Sequence, residues 1–470
     1  MVVQSIVSGM EARGNPTPGV FSLIRRGPFS RLWWAGLSSS FGDWVALFAT
    51  IALADSIGGV TGILVPLTAR MLPGLFGAAA GVLADRFNRK VTMVVCDVGR
   101  AALAVSLVFV RSLPQLFVIS FVMEVFTLFW GPSREASVPN LVPKAGLVRA
   151  NSLSLMAVYG TLPLGSAAFS ILAGISEWTH ALGVFGSNTG LAFVVDAVTF
   201  MVSASLIWTI AIPPPEVSED RQGDGGLDWR LPFRDITDGI RFILRERTVR
   251  SVIGGIATAL FGAGIFFALG QPFSSDVLGA GSSGFGVLVT ALGSGVGLGM
   301  IALSIAAGSD FRREVVFGVS LVETGLTITA AALSRTVAGA AFWALLAGVG
   351  AGSSYVMGFT HLHESVSDEL RGRTFAALYT LARTALLISI SAAAVLAAAL
   401  DGVLPGMFHS GIRSSLVLGG AVVAFAGAFT LWNMRTRFGG LALTDKALRS
   451  LDDASGTVSS IRQRRKEEEE

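Results

Sequence analysis

Asp43, Glu124 and Arg70 are ionisable residues set inside long apolar runs, where charge is expensive. Asp43 lies near the middle of the run 32–55, Glu124 near the middle of 114–132, and Arg70 in the first half of 60–83. At bilayer depth a charged side chain costs about 2.5–3.5 kcal/mol or more, so such residues carry protons, bind cargo or hold a partner. One guanidinium between two carboxylates forms a cluster whose protonation can be exchanged against a bound molecule. Charges at such depth make Asp43 and Glu124 functional candidates for carrying protons, with Arg70 as their counter-ion. The competing reading is a permanent structural ion pair with no part in turnover.

The elements that carry these residues follow from composition. Of 470 residues, 52% are hydrophobic and 14% charged, against roughly a quarter charged in soluble domains, so the solvent is lipid. Apolar runs recur at 32–55, 60–83, 91–112, 114–132, 148–175, 189–211, 250–272, 284–307, 315–334, 336–359, 375–400 and 412–434. Each is long enough to cross a bilayer as a helix of about 20 residues. The fold class is an all-α membrane protein with twelve transmembrane helices. The interruption at 212–249 divides them into two six-helix bundles, 32–211 and 250–434, flanked by a segment 1–31 and a tail 435–470 read as disordered. Ile236, Ile240, Ile243 and Leu244 recur at helical spacing within the interruption, which reads as an amphipathic helix on the membrane surface.

Orientation comes from the basic residues. Arg86, Arg89 and Lys90, then Arg134, Lys144 and Arg149, then Arg312 with Arg313 and Arg371 with Arg373 all fall on one side. The other side holds Arg111, Arg335 and Arg413. By the positive-inside rule the first side is cytoplasmic, with both termini, and the chain is a multi-pass protein of the plasma membrane. The two halves echo each other: Asp85 and Arg86 with Arg89 and Lys90 follow the second run, and Asp310, Arg312 and Arg313 follow the eighth. Such repeats mark proteins that alternate access around a central site.

The segment GVLADRFNRK (81–90) resembles the cytoplasmic signature loop of the major facilitator superfamily, G-x-x-x-D-R-x-G-R-[RK]. Gly81, Asp85, Arg86, Arg89 and Lys90 match, and Asn88 stands in place of the second Gly, a residue that tolerates left-handed backbone. Gly42-Asp43-Trp44, ASVPNLVPKAGLVRANSL (136–153) and DELRGR (368–373) are similar to the macrolide-efflux and enterobactin-exporter-like branch. The resemblance implies a cytoplasmic gate held by the 81–90 residues, with Arg100 supporting it and Arg383 pairing with Asp85 or Glu364. Asp310, Arg312, Arg313, Asp368, Arg371 and Arg373 would serve as second-half loops. Of the antiporter packing motif in the fifth span, Gly160, Pro163 and Gly165 remain, and Glu124 occupies the region where many drug antiporters carry Arg. Asp97, Asp196 and Glu323 lie on helices that are peripheral in the family, which assigns them packing or loop-latch roles. The first and fourth helices would line the cavity.

Other chemistries find no support. GSGVGLG (293–299) imitates a dinucleotide fingerprint but lies inside an apolar run, where it reads as a helix-packing face. Hydrolase, Walker and metal-ligand motifs are missing, Cys96 is the single cysteine, and no enzyme, metal, cofactor or nucleic-acid partner is expected. His361 and His363 read as ordinary loop polarity. The resemblance implies a monomeric secondary transporter that exchanges a small amphiphilic molecule, such as a drug, siderophore or metabolite, for H+ by alternating access. A lipid or lysolipid flippase and a non-transporting membrane sensor or scaffold are the alternatives.

Overall fold

The computed structural model describes residues 20–74, 87–143, 146–181, 189–213, 247–306, 313–365, 368–403, 405 and 409–432. Every regular element among them is helical. A short helix, α1 (Val20–Arg25), leads into α2 (Pro28–Gly74). This helix is two spans merged across a kink at Gly58 and Gly59, where Gly59 takes φ 59°. A reversal that tight needs left-handed backbone, which glycine enters at no steric cost.

The remaining spans are α3 (Arg89–Leu107), α4 (Leu113–Leu141), the broken pair α5 (Leu147–Tyr159) and α6 (Leu162–Ala181), and α7 (Gly190–Trp208). The second half holds α8 (Arg247–Pro272), α9 (Gly281–Ala306), α10 (Arg313–Leu333), α11 (Val337–Ser365) and α12 (Asp368–Leu400). It ends with α13 (Gly411–Trp432). With both limbs of α2 counted and α5 and α6 taken together, the expected twelve spans are present.

Two boundaries differ from the apolar runs for physical reasons. The run 91–112 overshoots α3, because Val108, Phe109 and Val110 form an apolar turn at the far end. Helix α4 outlasts the run 114–132 by passing through Pro132 and Pro139 into polar sequence. The expected surface helix 232–247 lies outside the described residues except for its last residue, where α8 begins, and the tail 435–470 lies wholly outside them.

The face from which the first span departs is here the near face. At the opposite, far face the two halves are sealed together. Phe285 of α9 meets Phe48 of α2 at 5.8 Å between ring centroids and Phe169 of α6 at 6.4 Å, within the range of favourable edge-to-face contact. Ser170 donates to the Ser283 carbonyl at 2.8 Å, and Thr290 to the Ser166 hydroxyl at 3.2 Å. Gly286 makes the approach possible, since a Cβ there would sit 2.5 Å from the Ser170 Cβ. Gly286→Val is therefore expected to hold the far face apart. Overpacking costs about 1–3 kcal/mol, so cross-linking of a Ser170→Cys/Ser283→Cys pair should fall roughly tenfold. Buried Cys96 is the sole native thiol and leaves that readout clean. Unchanged cross-linking would show that this seam does not govern closure.

Candidate functional site

The third span is built around an ion cluster. Asp97 and Arg100, three residues apart on one face of α3, pair at 2.5 Å. The other Asp97 oxygen accepts from the Ser203 hydroxyl of α7 at 2.7 Å. The second arm of Arg100 reaches Asp43 of α2 at 3.6 Å. Its guanidinium lies over Phe200 at 4.3 Å and Trp130 at 5.2 Å, so its faces rest on aromatic rings while its edges meet carboxylates. Arg100 is 1% exposed and Asp97 is fully buried, whereas Asp43 keeps a 35% exposed side chain. Asp43 is thus the member of the cluster that solvent can reach.

Asp196 of α7 adds a third carboxylate. It is fully buried, and among the described residues neither of its side-chain oxygens has a hydrogen-bond partner. The nearby Thr199 hydroxyl donates to the Asp196 carbonyl instead. Gly42 lets this acid approach Asp43, because a Cβ there would lie 2.5 Å from Asp196 Oδ1. Arg100 thus pairs with two carboxylates, from α2 and α3, and a third from α7 is buried beside the first at Gly42.

Glu124 of α4 stands apart. It is half-buried and feels Arg70, Asp43, Arg383 and Arg100 electrostatically. Among the described residues no ion pair within 4 Å joins it to any of them. Arg70 likewise has no ion pair within that distance among the described residues, and its buried Nε has no hydrogen-bond partner. The exposed Arg383 of α12 crosses from the other half and donates to the Gly74 carbonyl of α2.

Arg100 makes the direct contact with Asp43, while Arg70, expected as the counter-ion, forms no ion pair within 4 Å among the described residues. Asp97 and Asp196, expected in packing or loop-latch roles, lie beside Asp43, the first through Arg100 and the second at Gly42. Glu323 remains apart in the second half, its Oε2 buried and unpartnered beside Gly350. No sequence signal named Arg100 as the hub. The i, i+3 spacing of Asp97 and Arg100 marks the pair on one helix face, but not the helix that face meets.

The profile of the transmembrane secretion effector family matches residues 18–426. This chain is a major facilitator transporter of that family. Among its relatives, the uncharacterised MFS-type transporter YkuC of Bacillus subtilis (strain 168) is 30% identical, over 48% of this chain and 52% of its own length. The chain thus spans about half of that relative. A proposed bacilysin exporter of Bacillus subtilis, BacE, is 24% identical, over 73% of this chain and 83% of its own length. Among solved structures, an inward-facing bacterial homologue of the lysosomal transporter Spinster superposes with a TM-score of 0.65 at 17% identity. That match covers 87% of this chain and 97% of the other. A single-residue mutant of the nucleoside transporter NupG gives 0.65 at 11% identity, over 86% and 99%. These likenesses establish the fold.

Around the signature loop of this transporter, Gly81, Asp85 and Arg86 lie outside the described residues, as do Asp310 and Arg312. The side chains of Glu364, Arg313, Asp368, Arg371 and Arg373 do also. The described end of the loop is ordered by its own residues. Asn88 does not use left-handed backbone: at φ −64° and ψ 112° it is the N-cap of α3. Its side-chain oxygen accepts from the amides of Lys90 at 3.1 Å and Val91 at 3.3 Å, a contact glycine could not make. Arg89 donates to the Ala136 carbonyl of α4 at 2.9 Å, and Lys90 lies over the Trp208 ring at 5.1 Å. Arg100, expected to support this loop, instead directs its described contacts to Asp97 and Asp43.

The fifth-span residues pack helices together. Gly165 lies against Trp44 and Phe41 of the first span, while Pro163 backs onto Gly293 of α9, and Gly160 ends α5.

Proposed function

We propose that this transporter exports a small amphiphilic organic molecule in exchange for protons, with Asp43 and Glu124 as the proton-carrying groups. The reading rests on one observation: Arg100 pairs with both Asp43 and Asp97, and the orphaned Asp196 lies buried against Gly42 beside them. Surplus negative charge in a low-dielectric site must be neutralised, and the proton is the smallest counter-charge available. Asp43, partly exposed, is where such a proton enters. The export direction draws on the similarity to a proposed exporter. Both termini lie in the cytoplasm on this reading, because the loops rich in Arg and Lys share their side.

The electrical part of the driving force is about 2.3 kcal/mol per charge per 100 mV. The test uses proteoliposomes loaded with fluorescent amphiphiles under an imposed pH gradient. Asp43→Asn and Glu124→Gln are each expected to reduce gradient-driven efflux at least ~10-fold, as loss of a positioned proton-transfer group does elsewhere. Efflux unchanged in both variants would remove the proton-carrier assignment. Headgroup-dependent lipid movement indifferent to pH would favour a flippase in its place.

A further inference from the structure

The near end of α7 gathers two cations from the helices packed beside it. Arg31 of α2 donates to the Thr209 carbonyl at 2.9 Å, and Lys90 of α3 lies over the Trp208 ring at 5.1 Å. Trp208 is the last residue of α7 and Thr209 its C-cap, so consecutive positions hold both. The open carbonyls of a helix C-terminus attract cations, which accounts for one guanidinium N–H. The other donors of Arg31 and the ammonium of Lys90 remain, for among the described residues neither side chain forms an ion pair within 4 Å. Arg31, Trp208 and Thr209 are exposed and Lys90 is half-buried. Deeper in the bilayer the exposed faces of the two helices are apolar, with Val91, Val95 and Val98 on α3 and Val198 and Val202 on α7. The Ser203 to Asp97 hydrogen bond holds these two helices in register.

We propose that Arg31, Lys90 and Trp208 form the headgroup site of an anionic phospholipid, its phosphate held by the two cations and its chains lying along the apolar faces of α3 and α7. Phosphate supplies acceptors that match both the planar fork of arginine and the ammonium of lysine. Indole is amphipathic and settles at headgroup level, so Trp208 fixes the depth at which both cations stand. Basic residues between helices at a membrane surface draw anionic lipid, and here a ring and a helix end aim them at one place. A soluble anion meets the cations from the water side but gains nothing from the apolar faces beneath them. A zwitterionic phospholipid brings a third cation to a site that already holds two. Beside Lys90, Arg89 donates to the Ala136 carbonyl of α4 at 2.9 Å. A lipid bridging Arg31 and Lys90 therefore braces the near ends of α2, α3 and α7 next to the signature loop. The site does not depend on the export reading, on the coupled ion or on the direction of movement.

The test is native mass spectrometry of the full chain in detergent micelles, titrated with phosphatidylglycerol or with phosphatidylcholine bearing the same chains. Phosphatidylglycerol should be retained at least ~10-fold more tightly, the discrimination expected for a charged hydrogen-bond partner. Arg31→Gln and Lys90→Gln should each cut that preference by ~3-fold or more, as loss of one basic residue near a membrane surface does, and the double variant should erase it. Lys90→Arg, which keeps the charge, should keep the preference. Arg250→Gln removes an exposed cation at the start of α8 in the other half and should leave the preference intact. Melting followed at buried Cys96 should rise when phosphatidylglycerol is added to the wild type and stay level in the double variant. The proposal is overturned if the wild type retains both lipids equally, or if Arg250→Gln costs as much as Lys90→Gln. It is also overturned if glycerol 3-phosphate displaces the lipid at comparable concentration, which would make this a site for a soluble anion.

Discussion

Arg100→Leu is expected to be the most destabilising single charge substitution in the first bundle. It leaves Asp97 fully buried with Ser203 as its remaining described partner, and takes from Asp43 its one described ion-pair partner. Breaking a buried pair from one side costs about 3–5 kcal/mol, because the surviving charge keeps its desolvation penalty. Replacing both members by apolar groups is often near neutral, so Arg100→Leu/Asp97→Leu should recover much of the loss. Asp97→Asn should cost less than Arg100→Leu, since an amide still pairs with Ser203. The measurement is built into the chain: Cys96, its sole thiol, is buried one turn from Arg100. A thiol-reactive fluorophore during a thermal ramp therefore reports the opening of this region. Melting of Arg100→Leu at the wild-type temperature would mean that the cluster does not hold α2, α3 and α7 together.

That cluster also marks the boundary of what was legible in the sequence. The spans were readable because bilayer thickness imposes one length on all of them, and the third was readable despite Arg89, Lys90, Asp97 and Arg100 lowering its hydropathy. Asp43 stood out as a charge in a run of apolar residues. Its partner did not, because contact between α2 and α3 depends on how each helix is rotated about its axis. In lipid that phase leaves little trace in hydropathy, since outward and inward faces are both apolar. Arg383 and Gly74 are a sharper case: they are 309 residues apart and on opposite halves. Asn88 shows the same limit locally, for a residue at a glycine position can serve the turn by capping the next helix instead of by backbone freedom.

The second large effect is expected where no charge is involved. The 293–299 glycines of α9 face two directions. Gly293, with Gly286, abuts α6 of the other half at Leu162, Pro163 and Ser170, while Gly295 and Gly299 lie against the Leu345 and Val349 carbonyls of α11. From the α11 side, Gly348 and Gly352 lie against the Leu292 and Val296 carbonyls in return. Four glycines thus let two backbones touch, and in a bilayer such van der Waals contact drives association because apolar burial does not. A valine at Gly348 would press on backbone, which cannot change rotamer to escape. Gly348→Val should therefore cost more than the usual 1–3 kcal/mol or so of overpacking, lowering the melting temperature and the yield of monodisperse protein. Gly297 supplies the control: it lies on the same helix, and a Cβ there would have no neighbour within 4 Å. Gly297→Val should melt near wild type, losing little more than glycine's flexibility in the unfolded chain. Equal melting of the two variants would mean that the second bundle is held by something other than its glycine seam. Unequal melting with intact cross-linking of Ser170→Cys to Ser283→Cys would show that α9 keeps its contact with the other half and its contact within its own half on separate faces.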